Sequence, residues 1–485
     1  MLPICVYWNT TWAHFGLRDD YGVAREAHEE PGKEVLFCGS QARPVYGYLM
    51  HAEFQYLDHI GELSWARLTG SVLLGVLAAS TCVMLVWLYG WSVLTAACVG
   101  ALFALSPSAQ VIASWGILWP YVVSALLSTL AFVLAENAFR LSLSFQCWKS
   151  RALAGAAMLL AMISVLNYQP VSLFYLVFIA AAVVRRGEWT KQGSRRKLVF
   201  HLLLFGGAML MAYALIRLAF AAEWLPMSKR IAFEHDPVGK LVWFVQQVLP
   251  NAFALFVLND VHGRTAPYYQ IAVGVTSLLL LAGGFLAGRR GWSMTLLWFG
   301  GLVVLLIGSY GINLLAAERF FSYRTVFPLV GVVIIFLAAS LEQVGEVIPL
   351  LKRWRHGIAL TVVAVAALLA RWQTYELIAR PQNAEYRLVE RESKKLDLTR
   401  DQRVYVITPT PELAPTSLTY ADEFGSLSTD SDWVPKEMMK LIFHEKYPES
   451  PRCTSLDHMV SGAKPPPPGL YDVVLDLRGL RELSQ

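Results

Sequence analysis

Charge is what this 485-residue chain has least of: only 16% of it is Asp, Glu, Lys or Arg, against 55% hydrophobic residues. Soluble domains carry roughly 25% charged residues, so an ordinary soluble fold is excluded. The six cysteines form no CxxC pair, and Cys82, Cys98 and Cys147 lie in or near apolar segments. A zinc site is therefore not expected, and Cys38 and Cys453 are expected as two unpaired thiols rather than a disulfide. There is no Gly-rich phosphate loop of the Walker type and no basic cluster with interleaved aromatics, so nothing points to nucleic acid. Internal repeats of the kind that mark many transporters are also missing.

What the chain does have is long apolar runs, sixteen Trp and twenty Tyr. Aromatic rings of that kind gather where helices cross the membrane–water boundary. A spanning helix needs about 20 apolar residues. Runs of that sort occur at 68–89, 91–107, 117–138, 152–167, 170–184, 198–220, 269–288, 292–309, 325–342 and 358–378. Leu2 to Gly16 is short and carries Asn9, Thr10, Thr11 and His14, as if it were part of a longer natural helix. Leu241 to Leu258, with Gln246, Gln247 and Pro250, reads as a re-entrant or interfacial stretch. The expected fold is a polytopic α-helical membrane protein of about 11 spans. Residues 1–379 form the transmembrane module, and 380–485 a small α/β extramembrane domain with strands near 403–407 and 471–477 and a helix at 433–447.

Basic residues set the expected orientation. Arg140, Lys149 and Arg151, then Arg185 to Lys197, Arg289 with Arg290, and Lys352 to Arg355 all fall on one side, which the positive-inside rule makes cytoplasmic. The polar loop 18–67 and the C-terminal domain then face outward. That loop begins with Asp19 and Asp20 at head-group depth. It continues through Arg43 into a helix expected from Tyr46 to Arg67 and lying flat on the membrane, with Glu53 as an anomaly on its apolar face. The carboxylates are candidates for a general base or for contacts to Mg²⁺ or Mn²⁺. Base and metal ligand need different geometry, and adjacent side chains on a helix diverge by about 100°, so the roles of the two acids stay open.

Further candidates are expected on the same face. Trp119 and Tyr121 stand at the mouth of a span, Tyr168 and Gln169 interrupt two short apolar runs, and Arg230 and His235 lie in the 221–268 loop. Glu318, Arg319, Tyr323 and Arg324 precede the span that begins near Thr325. Two arginines against the charge bias suit a lipid phosphate.

This layout resembles the GT-C superfamily of polyprenyl-phosphate-sugar-dependent glycosyltransferases, above all the bacterial serotype-converting O-antigen glucosyltransferases and their uncharacterised relatives. The residues that carry the likeness are Asp19-Asp20-Tyr21, Ala42-Arg43-Pro44, Glu318 to Arg324, and Tyr420 to Gly425. Ala42 departs from the glycine that often precedes Arg-Pro in those relatives. The resemblance implies inverting transfer from a polyprenyl-phosphate-linked sugar to a glycan, lipid or protein acceptor on the periplasmic face of a bacterial inner membrane. It implies catalysis by Asp19 or Asp20, donor-phosphate binding by Arg43, Arg230, Arg319 and Arg324, and a site lined by Tyr21, Trp119, Tyr121, Tyr168, Gln169, His235, Glu318 and Tyr323. A transporter or flippase of lipid-linked saccharides, or a polysaccharide polymerase or ligase, is the alternative. The first of these is expected to place charge near the bilayer midplane rather than at one face.

Overall fold

In the computed structural model the described residues are 1–143, 147–185, 192–228, 231–397, 400–410, 419–447 and 456–480. Arg230 and Cys453, both named above, lie outside them. The chain is mostly helical. Seven helices are long and apolar enough to cross a membrane, or eight if the bent pair Val93–Leu105 and Pro107–Ser114 is one span. Ser106 and Pro107 explain that 54° bend: Pro107 cannot donate to the preceding turn, and Ser106 Oγ caps the new helix by accepting from Ala109 N–H. That is fewer than the eleven expected: the apolar helices Gln169–Val184 and Trp292–Gly308 and the ten-residue Leu2–Thr11 are too short to count among them.

The apolar surface agrees with a bilayer. Leu203, Leu210, Leu278 and Leu368 are each about 70% exposed on the outside of the helical assembly. By contrast, 72% of the Phe327–Val347 span and 61% of the Gly116–Ser142 span are buried, so these two form its centre. A large apolar exterior around a packed core is what a lipid-facing protein requires.

One expectation is corrected. The helix expected over Tyr46 to Arg67 is broken: Pro44–Phe54 ends, a short turn follows, and Leu63–Tyr89 is already the first long span. Its residue Arg67 is fully buried and donates to the carbonyls of Thr11, Ala13 and Phe15, which closes the end of the Leu2–Thr11 helix. The stretch from Leu241 onward is helical over Pro237–Phe253, with a π turn at Phe244–Val248 ahead of Pro250.

The last span, Pro349–Thr374, runs through a second π turn into Arg380–Ser393, so residue 379 falls within continuous helix. Beyond it, β1 (Val404–Ile407), β2 (Val460–Gly462) and β3 (Val473–Asp476) make a parallel sheet in the order β2-β1-β3. The helix Val434–Lys446 packs against Asp19–Glu29 and Arg380–Ser393.

Contacts sort the loops into two ends. Arg185 donates to Gly90 O, and Lys197 and Arg140 both pair with Glu136, which gathers the basic loops. At the other end Asn383 donates to His14 O, Asp20 accepts from residues 116 and 117, and Tyr323 N–H donates to Asp422.

Candidate functional site

Asp19 and Asp20 open the Asp19–Glu29 helix, where carboxylates complement the positive end of the helix dipole. Being successive helical residues they point apart. Asp20 is fully buried: Oδ2 accepts from Leu17 N–H at 3.0 Å and Gly116 N–H at 3.3 Å, and Oδ1 from Ile117 N–H at 3.0 Å. A Cβ at residue 116 would lie 3.1 Å from Oδ1, so glycine there permits the approach. Burial pushes the Asp20 carboxyl up to about 7 against the pull of Leu17 N–H and Arg67. Asp20 is a staple between the first loop and the Gly116–Leu118 turn. Both of its oxygens being occupied by backbone donors, the two acids do not fit a shared Mg²⁺ or Mn²⁺ site.

Asp19 is exposed, and it lies within electrostatic reach of Tyr46 and Cys38. Arg43 reaches the same two groups. Its guanidinium stacks on Tyr168 at 4.7 Å, and Tyr168 stacks on Tyr121 with ring centroids 3.5 Å apart. From the other direction Arg324 lies 4.6 Å over Trp115 and within reach of Tyr121, Tyr168, Asp422 and Glu423. Arg43 Nε and Asp422 Oδ1 are buried with no hydrogen-bond partner among the described residues. Each of the two atoms therefore needs a partner from water or a ligand.

The backbone is strained at the same place. Among the described residues five non-glycine positions have positive φ, and three of them, Arg18, Ala42 and Asp422, directly precede Asp19, Arg43 and Glu423. Each is held by its surroundings. Arg18 pairs with Glu423 at 3.1 Å and Asp430 at 3.4 Å, and Asp422 Oδ2 accepts from Tyr323 N–H and Ser322 Oγ–H. Ala42 O accepts from the Gln169 amide. Ala42 thus adopts, at φ 62°, the conformation that favours glycine. We expect Ala42→Gly to fold at least as well as wild type, and Ala42→Val to lose about 1–2 kcal/mol, as read from thermal unfolding in detergent.

Other expected site residues are placed elsewhere. Tyr21 is buried, and its hydroxyl accepts from Gly16 N–H. Trp119 donates to Glu53, which accounts for that acid on an apolar face, and burial pushes Glu53 up to about 7. Tyr323 is buried against Phe424. Arg319 joins Glu234 at 3.1 Å and Asp236 at 3.2 Å on the surface, and its hydrogen bond pulls Glu234 down to about 2. Glu318 O accepts from Lys240 Nζ, with its carboxylate within electrostatic reach of Lys240 and Tyr310, and His235 is exposed beside Glu234. Arg319, Glu318 and His235 therefore stand apart from Arg43 and Arg324. Tyr46, Asp422 and Glu423 join the site without having been expected there as functional groups.

A cavity of about 810 Å³ lined by Trp8, Trp12, Tyr375, Arg380 and Arg387 includes none of the clustered groups. Helices that can span a membrane, with charged and aromatic groups gathered at one end, define the chain as a membrane protein with a polar site at one end of its helical assembly. No known family model matches it, and no curated protein matches it.

Proposed function

We propose that the chain is an inverting glycosyltransferase of the GT-C type, with about eleven spans, that takes a sugar from a polyprenyl-phosphate donor. The observation that carries this reading is the gathering of Arg43 and Arg324 at the Tyr121–Tyr168 stack, with Tyr46 against Tyr121 and Asp19 within electrostatic reach of Tyr46. Two guanidiniums beside aromatic faces suit a phosphate and a sugar ring. In the reaction Asp19 takes the proton of an acceptor hydroxyl as that oxygen bonds to the anomeric carbon. The bond from that carbon to the phosphate oxygen breaks, and the polyprenyl phosphate leaves with the electron pair. Arg43 and Arg324 hold its charge. The transition state is oxocarbenium-like, and no step needs a metal at Asp19 and Asp20.

The site would face the periplasm of a bacterial inner membrane, with the acceptor a cell-envelope glycan, lipid or protein. A reporter fused after Gln485 is expected to be active only in the periplasm, and a cytoplasmic signal would reverse the orientation. In membranes supplied with polyprenyl-phosphate sugar, Arg324→Ala is expected to lower transfer about 10- to 100-fold. Arg319→Ala should stay within about threefold of wild type, as an exposed ion pair contributes little. Equal losses from the two would return Arg319 to the donor site.

A further inference from the structure

We propose a second site, separate from the transfer chemistry: a zinc-type metal site formed by Asp58, His59 and His444, three protein ligands that leave the fourth position to water. Each of the first three presents one ligand atom, and these atoms lie within 4.8 Å of one another. They come from two distant parts of the chain. Asp58 and His59 lie in the break between the Pro44–Phe54 helix and the first long span, and His444 on the Val434–Lys446 helix. The absence of a cysteine pair argues against thiolate zinc sites only. Imidazole with carboxylate is an equally good donor set for this ion.

The geometry favours a cation over a merely solvated cluster. Asp58 Oδ2 and His444 Nε2 are 2.5 Å apart, the rings of His59 and His444 are 5.6 Å apart, and His28 Nε2 is 3.7 Å from Asp58 Oδ1. His59 Nδ1 and Asp58 Oδ1 are both buried with no hydrogen-bond partner among the described residues. Metal–ligand bonds of about 2.0 Å in tetrahedral geometry set ligand atoms ~3.3 Å apart, so an ion needs shifts of only about 1 Å. Arg25, the competing cation, lies 3.8 Å from Asp58 Oδ1 while donating to Glu29 at 2.7 Å. An ion here would fasten the helix Val434–Lys446 to the first loop.

The test uses the full-length protein in detergent, stripped with a chelator and titrated with Zn²⁺ alone. About one zinc per chain should be retained after desalting, with a higher unfolding temperature, and Mg²⁺ should give neither. His444→Ala removes the ion pair with Asp58 and can weaken the fold without any metal. The deciding variant is therefore His59→Gln, which removes the imidazole and keeps a side-chain oxygen able to accept from the Ile60–Glu62 turn that His59 caps. Metal-free His59→Gln should unfold at the wild-type temperature and lose at least tenfold in zinc affinity. Absence of zinc retention by wild type, or unchanged affinity in His59→Gln, would overturn the site. Because the readouts are metal content and unfolding, the result stands whether or not the chain transfers sugar.

Discussion

Asp19→Asn is expected to lower sugar transfer by about 10²- to 10⁴-fold, the usual contribution of a positioned general base, while the protein unfolds at the wild-type temperature. The chemistry and the fold separate at this residue because Asp19 is exposed and its neighbour Asp20 makes the contacts that hold the loop. Asparagine keeps the size of the side chain and removes its charge and its capacity to take a proton; the lost helix-dipole interaction costs only about 0.3–1 kcal/mol at an exposed helix start. Donor binding should change little, as Arg43 and Arg324 are untouched, so the loss should fall on kcat rather than KM. A variant that transfers sugar at more than a tenth of the wild-type rate would remove Asp19 as the base.

The site was legible in the sequence to the extent that single residues at helix ends could be assigned to one face. Asp19, Arg43, Tyr121, Tyr168 and Arg324 were reachable that way, since charge bias and span counting alone bring them to one end of the helices. Pairing was not legible. Arg18 meets Glu423, and Asp422 meets Tyr323, across 405 and 99 residues, and no local pattern encodes contacts of that separation. Arg319 and Arg324 show the same gap from the other side. Five residues apart, and alike in position and charge, they part company because Glu234 and Asp236 happen to face one of them. Glu53 looked like a flaw in an amphipathic stripe until Trp119 supplied its donor. Hydrophobic periodicity likewise carried the 46–67 segment through as one helix, because Leu57, Ile60 and Leu63 keep helical spacing; all three are buried, across a break in the helix.

Asp20 predicts the largest loss of stability. Asp20→Ala would leave the N–H groups of Leu17, Gly116 and Ile117 buried without an acceptor, and each orphaned group costs about 1–3 kcal/mol. With partial relaxation the total should be about 3–5 kcal/mol, enough to unfold a marginally stable protein. Asp20→Asn is milder. Its single oxygen can keep two of the three donors, and its amide then faces the third, so about 1–3 kcal/mol is expected. The pH dependence identifies the group. The folded pKa, about 7, lies above the ordinary carboxylate value of 3.8, so the stability linked to the protonated form is fully present below that ordinary value. It is lost as pH rises through about 7. Wild type should therefore unfold at a lower temperature at pH 8 than at pH 5, and Asp20→Asn should lose that part of the slope while Asp19→Asn keeps it. If Asp20→Asn unfolds like wild type at both pH values yet fails to transfer sugar, the buried acid is a chemical group after all, and the division of labour between the two aspartates is the reverse of the one drawn from their hydrogen bonds.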